Sequence, residues 1–313
     1  MTNGGTVTGT EAVAMAKVFD RSVAFSLSFS APGNRRKVKS EQYQVDADKS
    51  MTNMSKDLID SEEFESILSA RRKVAGWVKR RALPSLFRDG VYLVPLDLVQ
   101  TIEQRLDDFQ NEDSGNVEAF MRVYPERVED ARGRLRGLFN PADYPSESQV
   151  KASFKVSWSY VSLGTPDSLK RVSVELWEKE KAKTEQQWAD AASEITSALR
   201  VGFAGLVKHL VERLTPDTAG EVKRFKGSTV ENLREFLSLF DSRNIMEDGE
   251  LAALVEKARA VLGFASASSI KDSRLTREKI LDGFQGIQDA LTPLVESAGG
   301  RRIVLEDEGE GAQ

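Results

Sequence analysis

The residues best placed to do chemistry lie in RRKVAGWVKRR, residues 71–81. Arg71, Arg72, Lys73, Lys79, Arg80 and Arg81 there put six cations into eleven positions with no acid among them. Seven residues make close to two helical turns, so Arg72, Lys79 and Arg80 share one side of a helix as a basic stripe about 11–13 Å long. Such a stripe can neutralise phosphates, and Arg35, Arg36, Lys37 and Lys39 on a predicted hairpin would extend it. The competing use is intramolecular: SEEFE at 61–65 precedes the run, and the helices beyond residue 100 are acidic.

Other carriers of chemistry are few. The chain has no Cys, which removes disulfides, thiolate nucleophiles and Cys-ligated metals. Its one His, His209, lies in GLVKHLVERL on an amphipathic pattern with no G-x-S-x-G elbow beside it, so it reads as a packing or helix-surface residue. No G-x-x-x-x-G-K-[ST] loop occurs, and GFAGLVK at 202–208 sits inside a helical period. Asp46-Ala-Asp48 begins like a calcium loop but has Met51 and Asp57 where that loop needs Gly and Glu. Pairs such as Glu62-Glu63, Asp107-Asp108 and Glu129-Asp130 read as solvated helix faces in a chain with 30% charged residues. No catalytic residue, metal or cofactor is therefore expected.

The elements that would carry these residues follow from periodicity. Val23, Phe25, Leu27 and Phe29 alternate with small residues and predict a strand over 22–30. APGN turns the chain, and a polar strand over 35–43 would return. From about Asp46 the spacing of Met51, Met54, Leu58, Phe64, Ile67, Val74 and Val78 is helical, with an Asp60–Glu63 capping box inside it, so one helix or two are expected there. Pro84 closes that segment; VYLV at 91–94 predicts a buried strand, 97–110 and 116–136 two helices, and FKVSWSYVSLG a strand over 153–163.

Thr165-Pro166 then introduces the longest periodic stretch, about 170–214. As one helix it would run roughly 65 Å, so a hairpin, an elongated coiled-coil-like arm or an interrupted helix is expected. Further helices are predicted after Ser228, at about 248–262 and at 274–297, with a short strand at 301–306 and an acidic end. The fold class expected is α+β, predominantly helical, with a small antiparallel sheet and long helices. Its parts would be a tail over 1–12, an α+β domain over 13–164, a helical domain over 165–300 and a short strand with an acidic tail over 301–313.

Charge and hydropathy narrow the setting. The first hundred residues have a surplus of three positive charges and each later third is negative by four, so the surface as a whole is not built for nucleic acid. The longest run without a charged residue, between Arg21 and Arg35, is Ser-rich and too short to span a bilayer. No membrane partner is expected, and a cytoplasmic location is.

VDADKS at 45–50, LPSLFRDGVYLVPLDLV at 83–99, AFMRVYPERVEDARGRL with LFNPADYP at 119–145, and VERLTPD with TVENLREFLSLFDSRN at 211–244 carry a resemblance. Together they resemble an uncharacterised family of phage and bacterial genomes, a domain of unknown function. The resemblance implies genomic company with MoxR-type AAA+ ATPases and von Willebrand factor A-domain proteins, and it brings no active-site residues. The expectation is a non-enzymatic accessory or assembly protein of a bacterial cell, host- or phage-encoded. It would act through protein contacts, with an AAA+ ATPase or with itself; nucleic-acid binding through 71–81 is the alternative.

Overall fold

The computed structural model describes residues 18, 20–49, 51–88, 90–162, 164–216 and 226–297. Strand β1 (Ser22–Ser30) has the bounds its alternation predicts, with Phe25 and Leu27 buried on one side of the pleat. The polar return strand is far shorter than 35–43. β2 (Arg35–Lys37) gives way to a tight turn at Ser40–Gln42 and pairs antiparallel with β3 (Ser55–Asp57) in a ribbon of its own.

No helix occurs among the described residues of 46–58. Met51 is 85% exposed, so the helical spacing there carries no apolar stripe, and among the described residues of that stretch only Leu58 is buried. The helix starts at α1 (Glu62–Arg81), whose N-cap is Ser61: its hydroxyl accepts the Phe64 N–H at 3.3 Å, one residue later than the expected box. Three glutamates in the first turn suit the helix dipole.

β4 (Leu83–Arg88) was not foreseen, because Pro84 reads as a breaker. It forms a hairpin with β5 (Val91–Pro95), with Leu83 opposite Leu93, and Gly90 turns the chain at φ +75°. β4 lies at the end of the strand order, where one side of its backbone needs no ladder partner and a proline is tolerated. α2 (Val99–Leu135) is one helix of 37 residues where two are predicted, with Pro125 inside it. NEDSGN at 111–116 looks like a break, yet Phe109, Asp113, Val117, Phe120 and Tyr124 form one buried stripe in which a carboxylate occupies an apolar position.

The short α3 (Glu147–Ser153) leads into β6 (Lys155–Val161), narrower than expected. The four strands run in the order β4-β5-β1-β6. Ser28 Oγ meets Ser157 Oγ at 2.7 Å and Ser30 Oγ donates to the Ser153 carbonyl at 2.8 Å, which fixes β6 as antiparallel to β1. α4 (Val174–Leu214) is continuous over 41 residues, about 62 Å at 1.5 Å per residue, and is neither a hairpin nor interrupted. Ser173 caps it, accepting the Leu176 N–H at 3.1 Å, while Pro166 heads a separate 3-10 turn at Asp167–Arg171. α5 (Gly227–Arg243), α6 (Gly249–Leu262), α7 (Ala267–Asp272) and α8 (Arg274–Ser297) complete the described chain. The predicted tail, the 301–306 strand and the acidic end lie outside the described residues.

The class is thus α+β, mostly helical, with a small antiparallel sheet and long helices. Two compact units divide the chain without being contiguous in sequence. The larger takes in the described residues of Met1–Ala24, Arg81–Leu98 and Ser162–Gln313; the smaller is Phe25–Arg80 with Val99–Val161. In the larger, α4 packs on α8, α5 and β4, and α6 on α8. Gly283 lets α8 approach α6 closely, since a Cβ there would lie 2.6 Å from Val261. In the smaller, Phe64, Ile67, Val117, Phe120, Tyr124 and Val150 form a core. Among the described residues, no helix is long and apolar enough to cross a membrane.

Candidate functional site

The basic run of α1 is split by its own helical geometry. Arg71 points inward and is 4% exposed, so it is withdrawn from any surface stripe. Its Nε and Nη2 donate to the two carboxylate oxygens of Asp113 at 2.8 and 2.7 Å, and its Nη1 donates to the Ser30 carbonyl at 2.7 Å. Phe29 and Phe154 flank the guanidinium at 5.9 and 5.4 Å. Its position, four residues after Ile67 and three before Val74, is one of the apolar stripe. Arg81, at the other end, is paired with Glu235 at 3.2 Å and largely shielded.

Arg72, Lys73, Lys79 and Arg80 are exposed and fall within one third of the helix circumference. Arg72 also reaches Glu65 at 3.9 Å, one of the acids expected to compete for this run. On the ribbon, Arg35, Arg36, Lys37 and Lys39 are exposed or nearly so, and Arg35 pairs with Asp57 at 3.0 Å.

The ribbon and the two long helices of the smaller unit enclose a cleft of about 630 Å³ that periodicity did not suggest. Its apolar floor includes Leu58, Ile59, Phe64, Leu68 and Leu135. Its rim carries three guanidiniums, each beside a carboxylate: Arg35 with Asp57, Arg127 with Asp130 at 3.1 Å, and Arg134 with Asp60 at 2.8 Å. Asp60 raises the affinity of Arg134 for its proton by hydrogen bond and charge. Arg127 Nε is buried with no hydrogen-bond partner. Asn34 shapes the floor, donating to the Ile59 carbonyl at 2.6 Å and accepting the Ile59 N–H at 2.8 Å.

A smaller pocket of about 290 Å³ shares Asn34, Leu58, Ile59 and Phe64 with the cleft and is lined by Phe120, Tyr124 and Tyr144. Both tyrosine hydroxyls serve the backbone, Tyr124 donating to the Pro145 carbonyl at 2.8 Å and Tyr144 to that of Leu58 at 3.0 Å. Burial first, then neighbouring charge, raises the pKa of each, so both remain protonated donors. Lys56 fastens the ribbon, its ammonium 2.7 Å from Asp143 and 2.5 Å from the Leu138 carbonyl.

With Glu65, the cleft lining carries four carboxylates against three guanidiniums, so it is not an anion trap. On its edge the Ser61 hydroxyl donates to Glu63 at 2.7 Å. The Ser61 hydroxyl, then the backbone N–H of Glu63, hold that carboxyl below its usual range, which makes it a weak base. His209 is half-buried in α4, remote in sequence from these groups. Among the described residues, no cluster of three or more His, Asp or Glu side chains could hold a metal ion. Arg127, Asp130 and Arg134 recur at helical spacing on α2, but nothing in the sequence distinguishes them from other charged helix faces.

Comparison with protein-family models, with characterised proteins and with solved structures finds no match.

Proposed function

We propose that this chain is a non-enzymatic accessory or assembly protein of a bacterial cytoplasm, host- or phage-encoded, that acts through protein–protein contacts. An AAA+ ATPase is the partner its sequence resemblance favours. The observation that supports the reading is at the head of α4. Val174–Gln187, the first third of that helix, contains no buried side chain, although the helix is continuous. Val172 and Val174 are 77% and 61% exposed there, with Leu176 beside them. Apolar side chains held on an ordered helix that covers none of them are what a contact surface supplies.

Trp177 adds to it. Its ring is faced by the Lys170 and Lys181 ammoniums at 4.0 and 5.3 Å, while its buried indole N–H has no hydrogen-bond partner. Binding of the purified chain to a MoxR-type ATPase, followed by light scattering and titration calorimetry, tests the reading. Val174→Asp with Leu176→Asp should weaken the complex by about tenfold or more while leaving the melting transition in place. Failure to bind, or binding indifferent to both changes, overturns it.

The second reading is nucleic-acid contact, favoured by the four exposed cations Arg72, Lys73, Lys79 and Arg80. Arg72→Glu, Lys79→Glu and Arg80→Glu together should lower DNA or RNA affinity and flatten its salt dependence by about three counterions. No binding at low salt ends that alternative.

A further inference from the structure

β6 is the last strand of the sheet order, and its outer backbone edge makes no backbone hydrogen bond among the described residues. It is also exposed: Lys155, Ser157, Ser159 and Tyr160 face solvent, and Val156, Trp158 and Val161 are half-covered. Natural edge strands are usually blunted by charge, proline or a bulge. β6 carries one Lys at its very start and no proline.

Its sequence, Lys-Val-Ser-Trp-Ser-Tyr-Val, is a near-palindrome about Trp158. We propose that β6 is the strand through which two copies of this chain pair, antiparallel and edge to edge, about a two-fold axis at Trp158. The inference rests on the contact-mediated function above and names one such contact. In that register Val156 lies opposite Tyr160 of the second copy, Ser157 opposite its Ser159, and the two Trp158 residues meet on the axis. Aromatic with β-branched and serine with serine are favourable cross-strand pairs, and no like charges meet, since Lys155 falls opposite Val161. Because opposed residues share a face, the apolar row stays on one side of the joined sheet and the serine row on the other. A closed two-fold pair of this kind is the commonest form of self-association.

The strand is already ordered for this. Trp158 Nε1 donates to one oxygen of Glu103 at 3.1 Å and the Tyr160 hydroxyl to the other at 2.5 Å. Both aromatic rings are thereby held against α2, and Tyr160 also rests on Phe25 at 5.6 Å. Little side-chain freedom remains to be lost on pairing. On the opposite face Ser28 and Ser157 bond each other. Seven residues of edge bury less than a permanent dimer needs, so the pairing is concentration-dependent.

Sedimentation equilibrium of the full chain tests this, with three proteins compared. The wild type should dimerise with a dissociation constant below about 1 mM. Ser157→Lys with Ser159→Lys sets lysine against lysine twice across the axis and should weaken pairing by about tenfold. Ser157→Lys with Ser159→Glu sets lysine against glutamate twice and should restore it. Both changes are at exposed serines, and unchanged melting curves would show the fold intact. A wild type that stays monomeric, or two double variants that behave alike, overturns the proposal. Binding to the ATPase by a protein that fails to dimerise would leave the wider reading standing, and loss of ATPase binding with an intact dimer would do the reverse.

Discussion

Arg71 and Arg243 are arginines laid against aromatic rings, one in each compact unit, Arg71 buried and Arg243 partly so, and the fold treats them differently. Arg71 has its fork matched to both oxygens of Asp113 and its third nitrogen to the Ser30 carbonyl. Arg243, in the last turn of α5, has a buried Nε with no partner and a face on the Phe236 ring at 6.0 Å. Burial pushes its pKa down to about 10 in spite of the attraction of Glu235. A charge inside a protein is tolerated either because its own geometry offsets the lost hydration or because the apolar packing around it is strong enough to carry it. Arg71 is the first case, and Arg243, whose Nε is buried without a partner in a half-buried side chain, leans toward the second.

The largest test of that contrast is Arg71→Ala, which leaves the Asp113 carboxylate buried and alone and should cost about 3–5 kcal/mol in denaturant unfolding. Arg71→Met with Asp113→Leu removes both charges at similar volume and should recover most of that loss. If the single change costs less than about 1 kcal/mol, Arg71 is not the paired cation its geometry describes.

The same residue explains much of what was legible in the sequence and what was not. Period-2 alternation found β1 with its true ends, and long three-to-four spacing found α4 and α8, because in each the apolar residues do face a core. Spacing misled where that condition failed. Met51 and Met54 keep a helical interval but are exposed, while Asp113 breaks an apolar pattern yet is buried, because a partner 42 residues earlier in the chain satisfies it. Two of the six cations of the basic run, Arg71 and Arg81, are drawn off the surface for the same reason: the sequence counts charges, and the helix phase and the acids facing it decide which reach solvent. The cleft was not visible at all, since Asn34, Asp60 and Arg134 meet only after the ribbon folds beside α2.

Arg200 is intermediate between the two arginines. It is largely shielded and pairs with Asp248 at 2.6 Å and with the exposed Glu250 at 3.3 Å. Burial pushes the Asp248 carboxyl up, but hydrogen bonds from Arg200 and the Leu251 N–H outweigh it and hold the group below its usual value. A depressed carboxyl stabilises the fold above its unfolded pKa and loses that contribution as pH falls through the folded one. Asp248→Asn should therefore cost about 1–3 kcal/mol near neutrality. It should also make the acid limb, below about pH 4, shallower than in the wild type. An unchanged acid limb would show that the bond from Arg200 does not hold the Asp248 carboxyl down.

The smallest effect, and the one that decides the contrast, is at Arg243. Arg243→Met keeps the stem against Phe236 and removes the charge, so it should be neutral or stabilising by about 1 kcal/mol, unlike any change at Arg71. The pH dependence has a definite sign. Between about 10 and the usual, higher arginine value, the unfolded chain holds a proton that the folded one has released, so stability from this group rises with pH; below that window the penalty is constant. Lysine and tyrosine titration affects both proteins alike and cancels in their difference. The advantage of the Met variant should thus be level up to about pH 9 and shrink above about pH 10. A gap that widens in that range, or a variant that unfolds like Arg71→Ala, would show that Arg243 is paired after all and that both units solve the buried-charge problem in the same way.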